Sequence, residues 1–201
     1  MKASHLLAPL FLSILQEQSA QTQYPRDVPA DLQVTTKDNK IVMLNDVLAK
    51  GKTLLVFTTD GCPMMPQGGT KSPLADYANM DAAIKADKLE GTKIVFVIDY
   101  NAADYVKRNP VIKDVDFYNA SAQVWDAFGA QRANNSFLIE DGKIKKAYGG
   151  SNTQNLTDMI KFLGIQTQPI RGLNDSARKS EISGCTPMWP DKTRMAFTLS
   201  Q

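Results

Sequence analysis

Histidine is all but missing from this chain: the single one, His5, lies at its extreme N-terminus. Cys-His and Ser-His catalytic pairs and histidine-ligated metals are thereby excluded from the rest of the sequence, because each needs an imidazole. A surplus of one charge is missing too. Twenty-three Lys and Arg stand against 21 Asp and Glu, for a net charge of +2. That is far short of what a protein needs to draw its affinity from neutralising phosphates, so nucleic acid is not an expected partner. No glycine-rich phosphate loop follows any strand, and Asp99, Asp104, Asp114 and Asp116 lack calcium-loop spacing. No apolar run reaches the roughly 20 residues that span a bilayer. Cysteine is scarce, with only Cys62 and Cys185. What remains is 201 residues of ordinary globular composition, 43% hydrophobic and 22% charged, enough for one domain with a real core.

Met1, Lys2 and His5 form a short basic start, Leu6 to Leu15 is almost purely apolar, and Gln16 to Gln23 turns polar around Ser19 and Ala20. This is the pattern of a secretory leader. Residues 1–20 are expected to be removed, with 21–27 as a connector; a buried N-terminal helix is the alternative. The mature chain would be secreted or periplasmic, with no integral membrane segment, in a compartment where a disulfide persists. Four sequons, at Asn119, Asn134, Asn155 and Asn174, are compatible with export.

Leu32 to Thr36 and Lys40 to Leu44 flank a Lys37-Asp38-Asn39 turn and read as a small hairpin, followed by a helical turn over Asn45 to Lys50. Thr53 to Thr59 and Lys93 to Asp99 are continuous β-branched and apolar runs, the signature of strands buried on both faces. Between them, Ser72 and Pro73 start a helix running to about Leu89. Asn101 to Asn109 is a short helix, Asp114 to Tyr118 a third strand, and Asn119 the cap of a helix carrying Val124, Trp125 and Phe128. Ser136 to Glu140, the turn signal Asp141-Gly142 and Lys143 to Tyr148 make an antiparallel hairpin. Lys143, Lys145 and Lys146 read as the solvated face of an edge strand. Leu156, Met159, Ile160 and Leu163 mark a last amphipathic helix. The pattern predicts an α/β domain with a mixed sheet over 28–165. Residues 166–201 show no comparable period and read as a tail carrying the second cysteine.

Cys62 follows the first buried strand and precedes the long helix, which in an open α/β sheet is the crevice where ligands bind. A thiol close to a helix N-terminus has a lowered pKa and a raised thiolate fraction; an inert buried cysteine is the alternative. Val56-Phe-Thr-Thr-Asp-Gly-Cys62-Pro63, the second strand ending at Asp99, and Val124-Trp-Asp-Ala-Phe-Gly-Ala-Gln-Arg-Ala-Asn-Asn-Ser-Phe-Leu-Ile-Glu-Asp-Gly-Lys143 together resemble the redoxin branch of the thioredoxin-like superfamily. That branch includes peroxiredoxin-like and periplasmic thiol-disulfide proteins. The resemblance implies a thioredoxin-like mixed sheet flanked by helices, with an N-terminal hairpin, and Cys62 as the attacking thiol. It also implies a hydroxyl at Thr59 near a bound peroxide and a thiolate-stabilising guanidinium at Arg132. The chain departs from the family at three places: Met65 stands where the second cysteine of a Cys-x-x-Cys motif would fall, Arg132-Ala-Asn-Asn-Ser136 lacks the family's cis-proline, and Leu55 replaces the peroxiredoxin proline.

Cys185 is the one possible intramolecular partner for Cys62, as a resolving thiol or as half of a structural disulfide. The expected substrate is a peroxide or a protein or small-molecule thiol, with no cofactor. Two readings from other classes stay open. One is a binding module that kept the fold and lost the redox cycle. The other is a Cu(I) site in which the tail brings Cys185 and Met188 to Cys62 and Met64 or Met65, soft ligands of the kind that select that ion.

Overall fold

The computed structural model describes residues 23–59, 73–99 and 102–179. The framework is an eight-stranded sheet, in the order β1-β8-β7-β4-β5-β6-β2-β3. Its strands are β1 (Arg26–Asp27), β2 (Gln33–Thr35), β3 (Ile41–Met43), β4 (Lys52–Thr58), β5 (Thr92–Ile98), β6 (Asp116–Ala120), β7 (Ser136–Glu140) and β8 (Lys143–Tyr148). β4 is parallel to β5 and β5 to β6, whereas β7 runs antiparallel to β4 and the outer pairs are antiparallel. This is the mixed sheet the sequence predicts.

The two apolar runs lie at the centre of the sheet, and each is apolar on both faces. Leu54 and Val56 of β4, with Ile94, Phe96 and Ile98 of β5, join one core cluster, and Leu55, Phe57, Val95 and Val97 join the other. The first cluster is roofed by α2 (Pro73–Ala86), α3 (Ala102–Arg108) and α5 (Thr153–Leu163); the second by α1 (Leu44–Leu48) and α4 (Ala122–Phe128). On the α4 side Phe57 meets Trp125 edge-to-face with centroids 4.9 Å apart, and Phe128 and Phe137 close the same aromatic group. Fully burying such a side chain stabilises by about 1.5–3 kcal/mol, which explains how a seven-residue helix holds its place.

Three local expectations are corrected. The third strand runs to Ala120, not Tyr118, because Asn119 and Ala120 pair with Thr35 and Val34 of the hairpin. Asn119 therefore does not cap α4. Ser121 takes the N-cap position, and the Asn119 side chain instead accepts the Ala102 backbone N–H at 2.7 Å, joining β6 to the start of α3. The stretch before Val28, expected to be a connector, supplies β1, which pairs with the first two residues of β8, Lys143 and Ile144. The three lysines of β8 are exposed, as expected, and pair at the surface with Asp27, Glu140 and Asp158. No helix among the described residues is long and apolar enough to cross a membrane.

β4 and β5 begin against two glycines. Gly51 has φ +72°, and a Cβ built there would lie 1.9 Å from the Gly91 carbonyl oxygen, the atom that accepts the Lys52 N–H at 2.9 Å. Gly142 also has a left-handed φ, +74°, but nothing within 4 Å of an added Cβ. Gly51→Ala is expected to destabilise by about 2–4 kcal/mol, strain and overpacking together, and Gly142→Ala by about 1–2 kcal/mol, strain alone. Urea denaturation of the two variants measures the difference; equal losses would show that the close approach at Gly51 relaxes freely.

Candidate functional site

Parallel pairing in register, Thr58 beside Ile98, brings the carboxyl ends of β4 and β5 level. The next residues, Thr59 and Asp99, are 2% and 6% exposed. A buried carboxylate needs a hydrogen-bond donor, and the Thr59 hydroxyl donates to Asp99 Oδ2. That hydroxyl's proton is thus committed to Asp99, leaving its lone pairs as acceptors for another group. One residue earlier, the Thr58 hydroxyl meets the Tyr105 hydroxyl of α3 at 2.7 Å. Two successive residues at the end of β4 are thus each backed by a side-chain hydrogen bond to a neighbouring segment.

The loop before β7 closes over the same place. Asn134 has φ +69° and donates its backbone N–H to the Phe57 carbonyl at 2.7 Å, and the Phe57 N–H donates to the Asn135 carbonyl at 2.8 Å. The Asn134 side chain points inward: its Oδ1 accepts the Tyr77 hydroxyl of α2, and its Nδ2 donates to Ser151 Oγ at 3.0 Å. Left-handed backbone is tolerated best by Asn among residues with a Cβ, and its amide joins α2 to the segment before α5, which a proline could not do. Burial pushes the Tyr77 phenol well above its ordinary range, so it stays neutral and a donor. Because the Asn134 amide is buried and doubly bonded, that sequon cannot carry a glycan in the folded protein.

Arg132 lies exposed on this loop. Its backbone N–H and that of Gln131 donate to Asn135 Oδ1 at 3.0 and 2.9 Å, which fixes the turn that carries it. Of the four residues predicted for the site, Thr59 and Arg132 thus sit on two segments joined through the backbone of Phe57. Cys62 and Cys185 lie outside the described residues, as do Met64, Met65 and Met188 of the copper reading. Among the described residues no group of three His, Cys, Asp or Glu side chains is arranged to hold a metal.

Sequence reasoning passed over Asp99, Tyr77 and the pair Asp76–Arg178. Asp99 had a usable signal: it ends the second buried strand just as Thr59 ends the first. Asp76 is buried in the first turn of α2 and takes an ion pair from Arg178, 102 positions away, at 2.5 Å. Burial raises the Asp76 pKa above its ordinary value, and the hydrogen bond and charge of Arg178 pull it back only in part.

The chain matches no family profile and no curated protein sequence. Among solved structures it is similar to a thiol:disulfide interchange protein from a Bacteroides species, at 16% identity and TM-score 0.50, covering 72% of this chain and 92% of that one. It is similar also to a thiol:disulfide interchange protein DsbE from Chlorobium tepidum, at 16% identity and TM-score 0.51, over 71% and 96% of the two chains. A thioredoxin family thiol:disulfide interchange protein from Chlorobium tepidum TLS aligns at 17% identity and TM-score 0.50, over 72% and 97%. Likeness at this level of identity is likeness of fold, and the fold of this chain is thioredoxin-like.

Proposed function

We propose that the chain is an exported, thiol-dependent redox protein in which Cys62 is the attacking thiol. The observation that supports this most is the Thr59–Asp99 pair. It is a buried, polar, hydrogen-bonded couple at the carboxyl end of the two central parallel strands, where open α/β sheets bind ligands, and Cys62 is three residues further along the chain. Without an imidazole in the domain, a proton leaving a thiol needs another acceptor. Thr59 Oγ1 can take it as its own proton passes to Asp99 Oδ2.

The Cys62 thiolate attacks one oxygen of a peroxide. The S–O bond forms as the O–O bond breaks, giving a sulfenic acid and an alkoxide or hydroxide that picks up a proton. Cys185 or an external thiol then attacks that sulfur, releasing water and forming a disulfide, which an external dithiol reduces. With a disulfide as substrate, the first step forms a mixed disulfide and expels the other sulfur as thiolate. Arg132, on the loop fastened to Phe57, supplies a positive charge that favours the thiolate. Residues 1–20 act as the leader that delivers the protein to an oxidising compartment.

Turnover of peroxide or of a mixed disulfide with a thiol reductant is expected in the wild-type protein and lost in Cys62→Ser. Mass spectrometry after mild peroxide should find Cys62 oxidised before any denatured-protein thiol control. Absence of turnover, with Cys62 labelling slowly and at the rate of that control, would leave a binding module that kept the fold.

Arg132→Ala is expected to raise the Cys62 pKa by about 1 unit and slow peroxide reaction accordingly, and Thr59→Val to act in the same direction. Stopped-flow rates over a range of pH read both. Unaltered rates in the two variants would remove the peroxide reading and leave disulfide exchange.

A further inference from the structure

The first core cluster takes side chains from β4, β5 and β7, and Phe117 of β6 packs against it, but it takes none from β2 or β3. The hairpin thus carries the sheet past its helical roof. Side chains alternate there as in any strand. Val34 and Ala120 enter the second core cluster, with Val42 packed against it. Thr35 therefore lies on the opposite face, where the register sets it between Asn119 of β6 and Ile41 of β3, with Gln33 two residues along. These side chains border a concavity of about 510 Å³, lined further by Asp31, just before β2, and by Ser121 and Gln123 at the start of α4. No residue of α2, α3 or α5 lines it.

The hydrogen-bonding capacity of this concavity is unspent. Ser121 stands at the N-cap of α4, yet its hydroxyl makes no capping bond. The side chains of Asp31, Gln33, Thr35 and Gln123 likewise make no hydrogen bond or ion pair among the described residues. Asn119 is half committed: its Oδ1 accepts the Ala102 N–H at 2.7 Å, which orients the amide and leaves its Nδ2 protons available. Elsewhere the protein uses such groups. Asn134, Asn135, Asn152 and Asn155 all make side-chain hydrogen bonds. Ile41, 68% exposed, stands on the same wall. A lone exposed aliphatic side chain is ordinary, but this one sits among amides and hydroxyls around a hollow and gives it an apolar contact.

The lining selects among ligand chemistries. It holds no cation, so a phosphate or carboxylate would find no charged partner. Its one carboxylate, Asp31, is too little charge to hold a hard cation, and no aromatic ring offers a base a stacking surface. What amides, hydroxyls and a carboxylate recognise in common is a hydroxyl group, which both donates and accepts. We propose that the concavity between β2, β3, β6 and the start of α4 is a binding site for a neutral saccharide, whose hydroxyls bond to Gln33, Thr35, Asn119 and Gln123 while a C–H face packs on Ile41. Its volume falls within the roughly 300–1,000 Å³ of small-molecule sites. None of these residues belongs to the thiol site, so the inference goes beyond the redox reading and does not depend on it.

The test follows the full, isotope-labelled chain by two-dimensional NMR as cellobiose, maltose or chitobiose is added, with inorganic phosphate and triglycine as ligands of other chemistry. At least one disaccharide is expected to give saturable shifts, with a midpoint in the millimolar range, at the side-chain amide signals of Gln33, Asn119 and Gln123. Phosphate and triglycine should give none. Thr35→Val and Gln123→Ala each remove one polar partner while suiting a strand and a helix, and each is expected to weaken binding about three- to tenfold. Val111→Ser, at an exposed aliphatic side chain away from the concavity, and Cys62→Ser should bind as the wild type does. Absence of saturable shifts with every disaccharide, or binding unweakened in both Thr35→Val and Gln123→Ala, would overturn the proposal. Shifts at Gln33 and Ile41 that grow with protein concentration and ignore added saccharide would mark this face as a contact between two copies of the chain, and would overturn it as well.

Discussion

The structure depends on the parallel pairing of β4 with β5. Each strand is apolar on both faces, so each can lie only where a layer of side chains covers it above and below. That requirement sorts the helices: α2, α3 and α5 cover Leu54, Val56, Phe96 and Ile98, while α1 and α4 cover Leu55, Phe57, Val95 and Val97. It also sets the register, Lys52 beside Thr92 through Thr58 beside Ile98. With the register set, Thr59 and Asp99 emerge side by side, and the polar end of the sheet is decided by the apolar middle.

Around that end the fold is held by polar contacts that are buried or partly buried and that each join elements far apart in sequence. Thr58 meets Tyr105, Thr59 meets Asp99, Tyr77 meets Asn134, and Asp76 meets Arg178. A buried polar group left without its partner costs about 1–3 kcal/mol, so such contacts punish alternative arrangements more than they reward the native one. Their combined effect is to place three chain segments at one spot: the end of β4, the loop carrying Arg132 and the start of α2. Rigidity of this kind suits a site whose chemistry depends on holding a thiol near an acceptor and a positive charge.

How much of this could be read in the sequence follows from the range of the interactions. The two central strands, the hairpin at Asp141-Gly142 and the helix over Thr153–Leu163 are encoded locally, by runs, turn residues and period, and each lies within a few residues of its expected place. Asn119 misled because a strand end and a helix cap favour the same residue, and only the pairing with Thr35 decides between them. Arg178 and Asp76 carry no local signal at all: each is an ordinary charged residue, and they meet only because the chain after α5 returns to the start of α2. Asn134 was noticed as a missing proline. Its positive role, an amide that bridges α2 and Ser151, needs the third dimension. At the candidate site, Thr59 and Arg132 are suggested by the family resemblance, whereas Asp99 enters only through the register of β4 against β5.

The activation of Cys62 proposed above is tested most directly by the pH titration of that thiol in the Cys185→Ser chain, followed by thiolate absorbance and by the rate of alkylation with iodoacetamide. A midpoint clearly below the free-cysteine value of about 8.5 is predicted, with the same chain returning to that value when denatured. A midpoint at or above it in the folded protein would contradict the account.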